Sequence, residues 1–140
     1  MKDDVYESGS EIQSLIERFE SCHLTPSEMT HRAHLKISVW YLSRFTLTEG
    51  TRRISENLIR FINHHGLKGY NETITLFWIK LIGRFLESAD RSRSITDVAN
   101  DLAERFDNSQ LIFDYYSRAR LLSEEARIGW VEPDLNPLDF

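Results

Sequence analysis

Residues 74–86 read ITLFWIKLIGRFL, with apolar side chains at 74, 76–79, 81, 82, 85 and 86. Wound at 3.6 residues per turn, that pattern makes a helix apolar on most of its circumference, and such a helix needs other elements around it. The stretch is too short to cross a bilayer and contains Lys80 and Arg84, so burial among neighbouring helices is its expected fate. A second stretch has the same character: Leu35, Ile37, Val39, Trp40, Tyr41, Leu42 and Phe45 cover most sides of a helix that runs to about Phe45. These two helices are the predicted centre of the fold.

The segments around them carry the one-sided stripes of outer helices. Ile12, Leu15, Ile16 and Phe19 share one face of a first helix, with Ser8 and Glu11 at capping-box spacing. Thr25, Pro26 and Glu28 repeat the start signal, so the second helix begins there or after Thr30. Thr48 precedes a third run whose inner face is Ile54, Leu58, Ile59, Phe61 and Ile62, and Gly66 stands where a left-handed residue closes it. Asn71 is the expected cap of a fourth helix from Glu72 to about Glu87. Ser94 and Asp97 open a fifth, with Val98, Leu102 and Phe106 at fourfold spacing; NSQLIFDYYS (108–117) and SEEARIGW (123–130) predict two more short helices. Nothing alternates with period two, and no repeat, low-complexity tract or flexible linker divides the chain. The prediction is one all-α domain over residues 1–140, a bundle of five to seven helices. Residues 1–9 are expected to be disordered, and 131–140 to form an extended tail in which Pro133 and Pro137 hold the backbone open.

With 41% hydrophobic and 11% aromatic residues, 140 residues can bury a core without disulfides, and the lone Cys22 allows no intramolecular one. The net charge of -5 speaks against a nucleic-acid partner, whose phosphates call for a basic excess. Arg52/Arg53 and Arg91/Arg93 stand among Glu49, Glu56, Glu87 and Asp90 and read as solvated helix faces. The opening MKDDVYESGS has neither the apolar core of a signal peptide nor a basic amphipathic pattern. A cytoplasmic protein that meets no membrane is expected.

Ionisable groups stand at the starts of both central helices. His31 and His34 share a helix face at about 5–6 Å between β-carbons, so both can address one ligand, water or metal. Tyr70 and Glu72 open the fourth helix, with His64 and His65 just upstream. His31, His34 and Glu72 are thus a candidate ligand set for a divalent transition metal, or a His–Glu couple for proton transfer. The plainer alternative is structural: His34 as a satisfied core histidine, His31 as a first-turn residue bonded to a carboxylate or backbone carbonyl, and Glu72 as a complement to the positive helix end. Trp40, Trp78 and Tyr115/Tyr116 read most simply as core, though their bulk could line a small-molecule pocket between the central helices.

Two Glu-x-x-His pairs, Glu20/His23 and Glu28/His31, have the spacing of di-iron bundles. One falls at a helix end and the other in a capping box a short turn later, so they do not face each other. Cys22 beside His23 reads as a packed thiol rather than an activated one. The sequence holds no phosphate-binding glycine loop, nucleophile elbow or paired cysteines for zinc.

MTHRAHL (29–35), GYNETIT (69–75), YYS (115–117) and SEEARIGWVEPDL (123–135) together make the chain resemble a family of small, uncharacterised bacterial helical proteins over most of its length. That family's motifs run aromatic-Thr-His-x-x-His-Leu, Tyr-His-Glu-Thr-x-Thr and Ala-Arg-x-x-aromatic-x-x-Pro-Asp-Leu. The resemblance implies a shared polar pocket on His31, His34, Tyr70, Glu72 and Thr73, with Arg127 and Asp134 as further members. Asn71 departs from the pattern, standing where the family has histidine. An amide is a poor ligand for zinc or iron, so the departure favours a hydrogen-bonded pocket over a tight metal site. The resemblance names no reaction.

Three functional expectations follow: a pocket for a small molecule; a metal-assisted or His/Glu acid–base enzyme; or a structural or interaction module, a homo-oligomer that packs aromatic surface near Trp130 and the tail against a copy of itself. The first two share one condition. The starts of the second and fourth helices must open onto one enclosed space.

Overall fold

The computed structural model describes residues 9–90 and 92–140. Its seven helices are α1 (Gly9–Glu20), α2 (His31–Arg44), α3 (Leu47–His64), α4 (Glu72–Glu87), α5 (Ile95–Arg105), α6 (Arg118–Leu121) and α7 (Glu124–Ile128), with single 3-10 turns at Pro26–Glu28 and Leu111–Asp114. No strand occurs among the described residues, and the fold is an all-α bundle. Of the segment expected to be disordered, Gly9 is already helical; residues 1–8, with the Ser8 cap, lie outside the described residues.

Side-chain caps set where the helices begin. Thr25 and Glu28 do form a capping box, but it supports only one 3-10 turn, and Thr30 then caps α2 by accepting the Ala33 amide at 3.1 Å. α3 is capped by Thr46 rather than Thr48: Thr46 accepts the Glu49 amide at 3.2 Å. Asn71 accepts the Ile74 amide at 2.9 Å and Ser94 the Asp97 amide at 3.1 Å, so α4 and α5 start where the sequence predicts.

Two helices end in the same left-handed motif. After α3, Gly66 has φ +66° and the Leu67 amide reaches back to the Ile62 carbonyl at 2.9 Å. After α1 the equivalent residue is Cys22, at φ 63°, with the His23 amide on the Arg18 carbonyl at 2.9 Å. Glycine serves that conformation without strain. Cys22 adopts it with its side chain packed into the core.

α2 separates two hydrophobic clusters. Leu35 and Val39 pack with Phe77, Leu81, Ile82, Val98, Leu102 and Tyr116, drawn from α4, α5 and the C-terminal segment. Ala33, Ile37 and Tyr41, on the opposite side, pack with Leu15, Phe19, Ile54, Phe61 and Ile79 from α1, α3 and α4. Each set on α2 repeats every four residues or fewer, and the two are offset by about half a turn, which explains why this helix is apolar on most sides. Lys36, between them, is fully buried.

The C-terminal region differs in detail from expectation. Between the 3-10 turn at Leu111–Asp114 and α7 the chain makes α6, a single turn capped by Ser117, which accepts the Arg120 amide at 3.2 Å. RARL has no apolar stripe that would announce it. Beyond Ile128 the tail is free of helix and is stitched down. The Leu135 amide bonds the Tyr115 carbonyl at 2.9 Å, the Tyr116 hydroxyl donates to the Val131 carbonyl at 2.7 Å, and the Phe140 ring meets that of Phe77 at 5.4 Å. Trp130 is partly buried, its ring packing within the chain: Tyr116 lies edge-on at 6.2 Å, Lys80 stands 4.8 Å over the ring, and its N–H donates to Glu132. Arg52 and Arg53 pair with Glu49 and Glu56 along α3, as solvated helix faces do. Among the described residues no helix is long and apolar enough to cross a membrane.

Candidate functional site

The first turns of α2 and α4 line one cavity of about 400 Å³. α2 contributes His31, His34, Leu35 and Ser38, a single stripe at helical spacing. α4 and the residues leading into it contribute a second stripe, Asn71, Ile74, Thr75, Trp78, Ile79 and Ile82, with Gly69 and Tyr70 beside it. Ile54, Leu58 and Ile62 of α3, four residues apart, close the third side, and Met29 and Ser109 complete the wall. Leu35, Ser38, Ile79 and Ile82 are buried and form the floor; Gly69 and Ser109 are exposed and mark the mouth. Among the described residues no Asp, Glu, Lys or Arg lies on this wall.

His31 is fixed by the fold. Its Nε2 donates to the Phe106 carbonyl at the end of α5 at 2.8 Å, and its ring meets Trp78 edge-on at 4.7 Å. A carbonyl only accepts, so Nε2 carries the hydrogen and the tautomer of the neutral ring is set. Next to it, Arg32 pairs with Asp107 at 2.7 Å. The plainer reading of His31, a first-turn residue bonded to a backbone carbonyl, is what the geometry has.

His34 is not the satisfied core histidine of that same reading. Its ring opens onto the cavity, and no described residue hydrogen-bonds it. His34 is an exposed residue that solvent reaches at the mouth of the cavity, and the protein packed around its ring still disfavours a charge there. That desolvation, with the neighbouring His31 acting in the same direction, lowers its pKa to about 4, and His34 is neutral at pH 7. Ser38, one turn further along the same stripe, is also buried on the cavity wall without a hydrogen-bond partner among the described residues. Sequence reading missed Ser38, a small hydroxyl inside an apolar run. The spacing of four from His34 was the available signal.

The start of α4 divides the remaining candidates. Tyr70 lines the cavity and donates its hydroxyl to Glu72 at 2.6 Å; burial and that bond raise its pKa, with Ser55 and Thr75 acting the other way. Glu72 itself is off the wall, one helical position round from Asn71. Asn71 is consumed structurally: besides capping α4 it donates its amide to the Leu121 carbonyl at 2.8 Å. Thr73, fully buried, faces away from the cavity and clamps the tail, donating to the Gly129 carbonyl at 2.8 Å and accepting the Val131 amide at 3.2 Å. Arg127 is exposed on α7, and Asp134 holds the tail by accepting the Ser117 amide at 2.8 Å and its hydroxyl at 2.5 Å. Neither reaches the cavity.

The metal expectation is therefore corrected. Among the described residues no group of three His, Cys, Asp or Glu side chains is placed to hold a metal ion. The cause is local: a residue at the first helical position points about 100° round from its cap, so α4 presents Asn71 to the cavity and Glu72 to Tyr70. His64 and His65 do not swing in; the His65 ring packs on Phe61 at 4.6 Å. Glu28 serves its capping box and pairs with Arg18, which hold its carboxyl down at about 2, while Glu20 accepts the Tyr41 hydroxyl.

Of the aromatic residues considered as pocket lining, Trp78 is on the wall, and Trp40, Tyr115 and Tyr116 are not. Comparison of the chain with protein-family models, with curated proteins and with solved structures finds no match.

Proposed function

We propose that the protein binds a small molecule in the cavity between the starts of α2 and α4. One observation carries this reading: His34 and Ser38 turn polar groups into the cavity and find no partner among the described residues. Ser38 is buried on the wall and His34 is exposed at its mouth, so a ligand entering there meets an imidazole and a hydroxyl that the fold has not engaged. A volume of about 400 Å³ falls in the range of roughly 300–1,000 Å³ usual for ligand pockets, as does a mostly apolar lining with a few convergent polar groups. Of the five residues that the motif resemblance implies for a shared pocket, His31, His34 and Tyr70 line this space, and Glu72 and Thr73 do not.

Binding is favoured over acid–base catalysis. A general base works best with a pKa near the operating pH, and His34 lies well below neutrality. Glu72, the other half of the expected couple, stands behind Tyr70 rather than on the wall. The setting we propose is the cytoplasm, where the free thiol of Cys22 stays reduced.

The test is recovery of an occupant. Protein purified without denaturant is expected to release, on solvent extraction, one compound in near-stoichiometric amount by mass spectrometry. A Leu58→Trp variant, whose indole fills the cavity from α3, should release none. Equal traces from both preparations would sink the reading.

A further inference from the structure

We infer that the cavity takes an uncharged, largely apolar molecule with one polar edge, which docks on His34 and Ser38, and that it rejects carboxylates, phosphates and cations. The inference rests on the small-molecule reading above and narrows it to a chemical class.

Three features lead there. First, among the described residues none of the side chains on the wall is an acid, a lysine or an arginine, so none of them offers a charged ligand a formal partner. An unpaired charge carried into such a site loses its hydration without compensation, the most expensive of all transfers. His34, exposed at the mouth, does not supply the missing cation, because the protein packed around its ring and the neighbouring His31 both disfavour the protonated form. Second, the floor and sides are aliphatic, with Leu35, Ile79 and Ile82 below and Ile54 and Leu58 opposite, while the Trp78 ring offers an aromatic surface held in place by His31. A flat or branched apolar body fits these walls. Third, the unpartnered groups are close together. His34 and Ser38 are four apart on one helix face, about 5–6 Å between β-carbons. A neutral imidazole offers one donor and one acceptor and a serine hydroxyl offers both, so a hydroxyl, amide or ring N–H on one edge of the ligand can pair with either. The other hydroxyls near them are already engaged: Thr75 donates to the Asn71 carbonyl at 3.0 Å and Tyr70 to Glu72.

Matched bicyclic probes separate the elements of this inference: 2-naphthol, 2-methylnaphthalene and 2-naphthoate, titrated into the full chain at pH 7 by calorimetry, with amide chemical-shift changes at Leu35, Ser38 and Ile79 to locate them. 2-Naphthol should bind about tenfold more tightly than 2-methylnaphthalene, the worth of one good hydrogen bond. 2-Naphthoate should bind at least about a hundredfold more weakly than 2-naphthol. His34→Leu should erase the advantage of the hydroxyl while leaving 2-methylnaphthalene affinity within about threefold. Ser38→Ala, which removes one atom from the wall, reports the same docking if the leucine variant does not fold, and should reduce the advantage of the hydroxyl. Naphthoate binding as tightly as naphthol would overturn the inference on charge and leave the pocket standing. Equal affinities of naphthol and methylnaphthalene for the native chain would overturn docking on His34 and Ser38. Failure of all three probes to bind, up to their solubility, would remove the pocket reading and this inference with it.

Discussion

At the start of α4, both ends of the Asn71 amide and the Thr73 hydroxyl are bonded to the chain; in the first two turns of α2, the His34 ring and the Ser38 hydroxyl are bonded to nothing described. Both regions are polar positions at the ends of largely apolar helices, and both border the same cavity. One set holds the architecture together, tying α4 to α6 and to the residues after α7. The other is left open on the cavity wall, with His34 exposed to solvent and Ser38 buried. Polarity at a helix start is therefore not by itself a mark of function, since at Asn71 and Thr73 the fold consumes it.

Substitutions should expose that contrast through their opposite effects on stability and binding. Asn71→Ala removes a helix cap, worth about 1 kcal/mol, and strands the Leu121 carbonyl, worth about 1–3 more. Loss of about 3 kcal/mol, on the order of 10 °C in Tm, is expected by thermal denaturation. Thr73→Val keeps the shape but leaves the Gly129 carbonyl and the Val131 amide without their partner, for an expected loss of about 2 kcal/mol. Its denaturant midpoint should fall, and proteolysis after Ile128 should become faster than in the native chain. His34→Leu should change stability by no more than about 0.5 kcal/mol in either direction, since no hydrogen bond is lost, while altering small-molecule binding. A loss as large as that of Asn71→Ala would place His34 with the structural set and collapse the comparison.

A further difference is expected in pH dependence. The unfolded chain protonates His34 near 6.5 and the folded chain near 4, so between those values the unfolded state binds more protons. Stability attributable to this residue is present above pH 6.5 and is lost as pH falls toward 4. His31 and Tyr70 are the titratable groups that share the cavity wall with it. The acid-side decline in Tm should be shallower in His34→Leu than in the native protein; identical profiles would show that the ring is solvated like a surface histidine.

Much of this molecule was legible locally. Asn71, Ser94 and Gly66 announce their roles because a cap or a left-handed turn depends on a few adjacent residues. The two helices that are apolar all round declared themselves the centre by periodicity alone, and their starts do share a space. What local pattern could not reveal was the satisfaction of polar groups. Glu72 looks like a ligand until Tyr70 is seen to hold it, and Ser38 looks like filler until the wall opposite it is seen to be missing. Ser109 joins the wall from the loop after α5, which has no periodicity to read. Thr46 was legible, with Glu49 three residues on, but lost to Thr48, an equally good capping residue two positions later.

The stitching of the tail also orders events during synthesis. Leu121, Gly129 and Val131, whose backbone groups bond Asn71 and Thr73, are translated well after α2, α3 and α4 are complete. While they are still within the ribosome, a nascent chain can bring three sides of the chamber together but cannot latch the first turn of α4. The chamber is thus latched only after the residues that follow α6 have emerged, later than the helices that form its walls.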